Sequence, residues 1–133
     1  MAQRIQVQDM NNTPPPPQPD VLEDLRLALR HFAAERDWDQ FHSPKNLAMA
    51  LSVEAAELLE HFQWLSDAES SALNPETRSK VSEELADVLL YLVRLADKLD
   101  IDLAVAAREK LKVNAAKYPP EKARGSNKKY SEL

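Results

Sequence analysis

Apolar residues recur every three to four positions along most of this chain, the spacing of one face of an α-helix. The first such stretch follows Asp20, which with Glu23 resembles a capping box, and predicts a helix running to about Asp37. Its buried stripe is expected to contain Leu22, Leu25, Leu29, Phe32 and Ala33.

A second helix is predicted from Ser43-Pro44 to about Trp64, because serine caps a helix and proline suits its first position. The segment "LAMALSVEAAELL" within it is apolar nearly all round. A helix without a wide polar face is buried on several sides. A domain of about 100 residues supplies few neighbours for such burial, so we expect an oligomer.

Two further helices follow a polar stretch, 65–76, that is predicted to be a loop. The third helix spans about Thr77–Leu99, and the fourth runs from an N-cap at Asp102 to Tyr118, where Pro119-Pro120 ends it. The core face of the third helix is expected to contain Val81, Leu85, Val88, Leu92, Leu95 and Leu99.

The two ends of the chain differ from this helical centre. Residues 1–19 are proline-rich and predict a disordered tail, since proline fixes φ and lacks an amide donor. Residues 119–133 contain the single glycine and predict a C-terminal tail. We expect 20–118 to form one all-α domain, a four-helix bundle that assembles as an oligomer.

Composition narrows the function further. The formal net charge of −5 argues against a general nucleic-acid binder, which presents a basic surface. The absence of cysteine excludes disulfides and thiolate metal sites. No apolar run suits a signal peptide or a membrane span, so the expected localisation is cytoplasmic, with no nucleic acid or membrane as partner.

Two pairs of acidic residues stand out within the apolar helices: Glu54 with Glu57, and Glu84 with Asp87. Each pair has the spacing i, i+3, which places both carboxylates on one side of a helix. Most such pairs are solvated helix surface, but on a helical wheel these lie among leucine and alanine positions. Buried carboxylates persist when they are paired or bind a metal. The nearby cations, Lys80 and Arg94, are too few for four acids.

The four carboxylates therefore predict a site for Mg²⁺, with Mn²⁺ as a substitute, because hard cations prefer oxygen ligands. A di-iron bundle would need Glu-x-x-His, which neither acidic helix contains, so His61 is expected to pack in the core or to lie behind the ligands rather than to bind metal. Mg²⁺ is commonly shared with substrate phosphates. One glycine excludes a glycine-rich phosphate loop, which leaves metal-assisted attack of water on phosphorus.

The spacing Glu54-x-x-Glu57, 26 residues, Glu84-x-x-Asp87 resembles the MazG-like all-α NTP pyrophosphohydrolases. The segments "FAAERDWDQFHSPKNL", "ELLEHFQW" and "EELADVLLYLVRLA" are similar to the dCTP pyrophosphatase branch of that family. The resemblance implies hydrolysis of dCTP or modified dCTP to dCMP and pyrophosphate, a house-cleaning activity. It also implies Mg²⁺ held by the four acids and a homotetramer.

The resemblance implies substrate-binding residues as well. Trp38 and Trp64 match aromatic positions against the base, Tyr91 a position near the sugar, and Lys110 and Asn114 positions near the triphosphate. Candidate contacts are also expected from His42, Asn46 and Tyr118. Leu29 occupies a place where vertebrate relatives carry histidine, so any base contact from that position is lost.

Two alternatives remain open from the sequence. The first keeps the chemistry and changes the substrate to dUTP or a broad set of triphosphates, which competition among substrates would distinguish. A non-enzymatic helical oligomerisation scaffold is the alternative of another class, and it predicts no dependence on Mg²⁺.

Overall fold

The computed structural model describes residues 20–133, so the predicted tail 1–19 lies outside the described residues. Every regular element in 20–133 is helical, which confirms the all-α class. The α-helices are α1 (Val21–Glu35), α2 (Pro44–Glu60), α3 (Asp67–Ser70), α4 (Pro75–Lys98), α5 (Leu103–Lys117) and α6 (Pro120–Ala123). Two 3-10 turns span Asp39–Phe41 and Tyr130–Glu132.

None of the helices in this part of the chain combines the length and apolarity that crossing a membrane requires.

Helix starts follow the predicted caps. The side chains of Asp20, Ser43 and Asp102 each accept a hydrogen bond from a backbone N–H in the first turn of α1, α2 and α5. The start predicted at Thr77 is corrected to Pro75, because Asn74 caps α4 and proline follows it. These contacts are local, which is why the sequence reveals them.

Two helices end at aspartates with positive φ. Asp37 has φ of 54° and Asp100 has φ of 55°, the left-handed conformation that commonly terminates a helix. The backbone N–H of Trp38 then bonds back to the carbonyl of Ala33. Helix α1 therefore ends at Glu35 rather than Asp37, and the turn carries Trp38 back beneath α1.

Two further expectations are wrong. Helix α2 ends at Glu60, and a hydrogen-bonded turn rather than helix leads to Trp64. The stretch 65–76 contains the short helix α3, which forms because Ser66 and Glu69 make a reciprocal capping box.

The main packing in the chain places α4 against both α2 and α1. The buried apolar residues of this core are small and few: Ala33, Leu47, Val81, Val93 and Ala96. Of the expected core face of α4, Leu85, Leu92 and Leu99 are exposed instead. The apolar surface of α4 is thus wider than one chain covers.

Helix α5 has no buried residue, so the four long helices do not form one closed bundle within a single chain. After α5 the chain folds back through α6, and the rings of Tyr118 and Tyr130 meet edge to face with centroids 6.0 Å apart. Two short helical elements therefore lie in the segment predicted to be a C-terminal tail.

Candidate active site

Three of the four predicted acids converge where α2 packs against α4. Glu54 from α2 and Glu84 and Asp87 from α4 each present a carboxylate oxygen, and the three oxygens lie within 4.8 Å of one another. Glu54 and Glu84 are partly buried, whereas Asp87 is exposed, which corrects the expected burial of all four. The i, i+3 spacing on α4 aims two carboxylates at one point on α2.

Glu57 stands beside Glu54 and shapes its ionisation. Burial, followed by the neighbouring carboxylates of Glu57, Asp87 and Glu84, raises the pKa of Glu54 from its ordinary value of 4.5 to about 7. Like charges this close oppose ionisation of one another. The cluster therefore holds more negative charge than its surroundings compensate.

Glu84 also lacks a partner for its negative charge, at one carboxylate oxygen. Its Oε2 is buried and has no hydrogen-bond partner among residues 20–133. His61 Nε2 lies 3.8 Å from Glu84 Oε1, too far for a hydrogen bond. A buried carboxylate oxygen without a donor is costly unless a cation meets it. The donor set of carboxylate oxygens fits a hard divalent cation such as Mg²⁺.

The two cations near these acids in the sequence form ion pairs with other carboxylates. Lys80 pairs with Glu76 at 3.2 Å, and Arg94 pairs with Asp39 and Asp97. Neither offsets the charge of Glu54, Glu84 and Asp87. This distribution favours a metal ion over an internal salt bridge at the cluster.

An apolar cavity of about 460 Å³ opens beside the cluster, between α1 and α4. Asp87 lines it, so the cavity and the acidic cluster share a wall. The remaining lining residues are Leu25, Ala28, Leu29, Phe32, Trp38, His42, Leu90, Tyr91 and Arg94. A flat apolar group bound here would lie next to a charged group bound at the carboxylates.

Trp38 reaches this cavity because of the turn at the end of α1. Its ring meets Phe32 edge to face, with centroids 5.7 Å apart, and meets His42 at 6.3 Å. Edge-to-face contacts fix aromatic rings while leaving a face free for another ring. Of the predicted substrate residues, Trp38, His42 and Tyr91 are thus brought to one cavity.

Asn46 serves the backbone rather than the cavity wall. Its side-chain Nδ2 donates to the carbonyl of Phe41 at 2.9 Å, and its own N–H donates to Ser43 Oγ. These bonds tie the 3-10 turn to the first turn of α2 and so hold His42 in place.

The other predicted substrate residues lie away from the cavity in a single chain. Trp64 is 87% exposed in the turn after α2. Lys110, Asn114 and Tyr118 are exposed on or just after α5, which buries none of its side chains. None of these four residues lines the cavity in one chain.

Sequence reasoning did not assign Phe32 or Arg94 to the wall of the cavity. Phe32 was expected in the core, yet it is 44% exposed and lines the cavity. Arg94 is buried and bonds to His42, 52 residues away in sequence. The sequence did contain a sign that Arg94 is buried: it lies in an apolar stretch and is spaced i, i+3 from Asp97, with which it pairs.

The acidic cluster predicts an unusual dependence of stability on pH in EDTA. Folded Glu54 keeps its proton to about pH 7, whereas the ordinary carboxyl releases it near 4.5. The folded state binds the additional proton in this window, so the free energy of unfolding should fall as pH rises. Saturating Mg²⁺ should remove the fall, because it favours the ionised carboxylate.

His42 changes the free energy of unfolding with pH in the opposite direction to Glu54, so the two contributions have to be separated. Burial and the charge of Arg94 lower the pKa of His42, which makes stability rise with pH below about 6.5. Thermal unfolding of the native chain and of Glu54→Gln, compared from pH 5 to 8, isolates the Glu54 contribution. Parallel pH profiles for the two proteins would contradict the assignment.

Comparison with known proteins agrees with this architecture. A family model described as the MazG-like family matches residues 49–133. The chain is 48% identical over 119 residues to dCTP pyrophosphatase 1 of Homo sapiens, covering 88% of this chain and 69% of that protein. It is 50% identical to the Rattus norvegicus dCTP pyrophosphatase 1 over the same shares.

A solved structure is similar as well. The crystal structure of a pyrophosphatase from Archaeoglobus fulgidus DSM 4304 aligns with a TM-score of 0.72 and 42% identity. The alignment covers 77% of this chain and 95% of that chain. The family match spans Glu54, Glu84 and Asp87, the relatives cover most of the chain, and the chain accordingly belongs to the MazG-like family.

Proposed function

We propose that this chain is a Mg²⁺-dependent pyrophosphohydrolase that converts dCTP, or a modified dCTP, into dCMP and pyrophosphate. The observation that carries the proposal is the shared wall at Asp87 between a three-carboxylate cluster and an aromatic-lined cavity. A nucleotide has a flat apolar base and a charged phosphate chain, which match these two environments. The relatives named dCTP pyrophosphatase 1 support the choice of dCTP.

Each part of the site has a role in this reaction. Glu54, Glu84 and Asp87, with Glu57 beside them, would hold the divalent ion. Trp38 would face the base, while Tyr91 on α4 would lie toward the sugar, one turn beyond Asp87. The nucleotide would then extend from the cavity, with its α phosphate toward the carboxylates.

Hydrolysis between the α and β phosphates needs the attacking water and the phosphorus atom to be held together. When bound, Mg²⁺ neutralises phosphate charge and lowers the pKa of water. The carboxylates on α2 and α4 would hold the ion, and Leu25, Leu29 and Phe32 would exclude water from the base end of the site. Such positioning contributes much of the rate acceleration in phosphate chemistry.

We also propose that the chain acts as an oligomer, with a tetramer as the expected state. Large apolar side chains are exposed on several helices, including Met49, Val53, Leu85 and Leu111. Monomers rarely expose so much apolar surface. A neighbouring copy would cover it, and it would bring Lys110, Asn114, Tyr118 and Trp64 toward a substrate. Sedimentation that finds a monomer at micromolar concentration would contradict this assembly.

The cytoplasm is the proposed location, because deoxynucleoside triphosphates are soluble there and a chain without cysteine needs no oxidising compartment. Cell fractionation that places the protein elsewhere would contradict it.

The base preference is tested by pyrophosphate release from a panel of deoxy- and ribonucleoside triphosphates with Mg²⁺. We expect the highest kcat/KM with dCTP or a 5-substituted dCTP, because the relatives that are about half identical to this chain are named dCTP pyrophosphatase 1. Leu29 lines the cavity at the position where a base contact is lost. The panel therefore has to include dUTP as a competitor of dCTP. Equal rates across all bases would support the broad-specificity alternative instead.

A further inference from the structure

A buried arginine reaches the wall of the base cavity from behind. Arg94 is only 4% exposed, and its Nε donates to His42 Nδ1 at 3.1 Å. Its two terminal nitrogens are held in other directions, by Asp39 across the 3-10 turn and by Asp97 one turn along α4. The guanidinium of Arg94 is therefore fixed in position, and its Nε–H points at the imidazole ring of His42.

This contact determines where His42 carries its proton. A guanidinium can only donate hydrogen bonds, so Nδ1 of His42 must accept with its lone pair. A neutral imidazole has one proton, which is then on Nε2. The charged groups around the ring are Arg94 and Lys98 from α4 and Asp39 from the 3-10 turn. Burial and the two cations keep the pKa of His42 below its ordinary value, although Asp39 acts in the opposite direction.

The remaining nitrogen is free to meet a ligand. No hydrogen bond in the part of the chain that the structure describes engages His42 Nε2, and His42 lines the cavity. Among the other polar lining residues, Asp87 belongs to the acidic cluster and Tyr91 has a hydroxyl that can donate or accept. Trp38 carries another donor-only N–H, and the Arg94 guanidinium is engaged by its own partners, so His42 is the lining donor whose direction a neighbouring residue sets.

We propose that Arg94 is a positioning residue that locks His42 as an Nε2–H donor and thereby favours cytosine over uracil in the cavity. This inference rests on the proposed function. N3 of cytosine is an acceptor, whereas N3 of uracil or thymine carries a hydrogen. A fixed N–H donor can form a hydrogen bond to N3 of cytosine, but it meets another N–H at N3 of uracil. Donors left without an acceptor in a closed site weaken substrate binding.

Loss of Arg94 should release this lock. The proton of His42 can then occupy either nitrogen, so Nε2 can also accept from N3–H of uracil. We expect Arg94→Met to lower the ratio of kcat/KM for dCTP over dUTP by about tenfold, mainly through KM. Arg30→Met is the matched control, since Arg30 pairs with the same Asp97 but does not touch His42. Its ratio should stay within about twofold of the native value.

A second readout does not depend on turnover. Long-range ¹H–¹⁵N NMR of histidine-labelled protein distinguishes the two imidazole tautomers. The native chain should show His42 with its proton on Nε2, and Arg94→Met should show a mixture. A native Nδ1–H tautomer, or a variant with unchanged tautomer and unchanged substrate ratio, would overturn the proposal.

A folding failure of Arg94→Met leaves the proposal testable through His42→Gln. The glutamine amide can turn to donate or accept, so the dCTP to dUTP ratio should fall by a similar factor, and an unchanged ratio would overturn the specificity role. If the native chain hydrolyses neither nucleotide, the proposed function and this specificity fail together. The NMR spectrum would still decide whether Arg94 fixes the tautomer.

Discussion

Glu54→Gln is expected to lower kcat with dCTP by roughly 100- to 1000-fold while leaving the helical content unchanged. The amide keeps the size of the side chain but weakens a ligand in the cluster formed with Glu84 and Asp87. It also removes the buried charge and the like-charge repulsion that together raise the pKa of Glu54 to about 7. Without metal, the variant should therefore unfold at the same temperature as the native chain or a higher one.

The control for this prediction is Glu83→Gln. Glu83 is exposed on α4 immediately before Glu84, so the change removes the same charge from outside the cluster. Its kcat should stay within about twofold of the native value. An active Glu54→Gln would contradict the metal site, and an unfolded one would show that the acids serve the fold.

Asp97→Asn is expected to reduce the free energy of unfolding by about 3 to 5 kcal/mol, the usual cost of breaking a buried ion pair. The Asp97 side chain is 5% exposed and accepts hydrogen bonds from Arg26 at 3.1 Å and Arg30 at 2.7 and 2.8 Å. Arg94 lies 3.5 Å away. Burial alone would raise the pKa of Asp97, but these arginine bonds outweigh it and hold that pKa below the usual range.

Urea unfolding measures this loss, with Asp100→Asn as the control. Asp100 is exposed three residues later, and its positive φ suits asparagine, so stability should change by less than about 0.5 kcal/mol. Equal stability of the two variants would mean that Asp97 does not join α1 to α4. In that case the position of Arg94 would need another explanation.

The sequence predicted most accurately what local chemistry determines. The caps at Asp20, Ser43 and Asp102 depend on hydrogen bonds within one turn, and all three are found. Helix ends were less accurate because the left-handed residue Asp37 looks like an ordinary helix aspartate. The sequence singled out the four acids by their spacing and apolar neighbours, and three of them, Glu54, Glu84 and Asp87, converge in the structure. Their role as metal ligands stays a prediction.

Features that join distant parts of the chain escaped prediction. Arg94 meets Asp39 across 55 residues and Arg26 meets Asp97 across 71, and no local pattern encodes either pair. Apolar periodicity placed Leu85, Leu92 and Leu99 in the core, but it cannot distinguish a surface covered by the same chain from one left for another chain. The exposed face of α4 results from that ambiguity.

Phosphorus-31 NMR of dCTP turnover, first with Mg²⁺ and then after EDTA, tests the central claim most directly. Hydrolysis by metal at the carboxylate cluster predicts dCMP and pyrophosphate in equal amounts, with turnover stopping when EDTA is added. Formation of dCDP and phosphate would contradict the bond assignment. Turnover that EDTA does not affect, or no turnover at all, would contradict the metal-dependent enzyme and favour a helical scaffold.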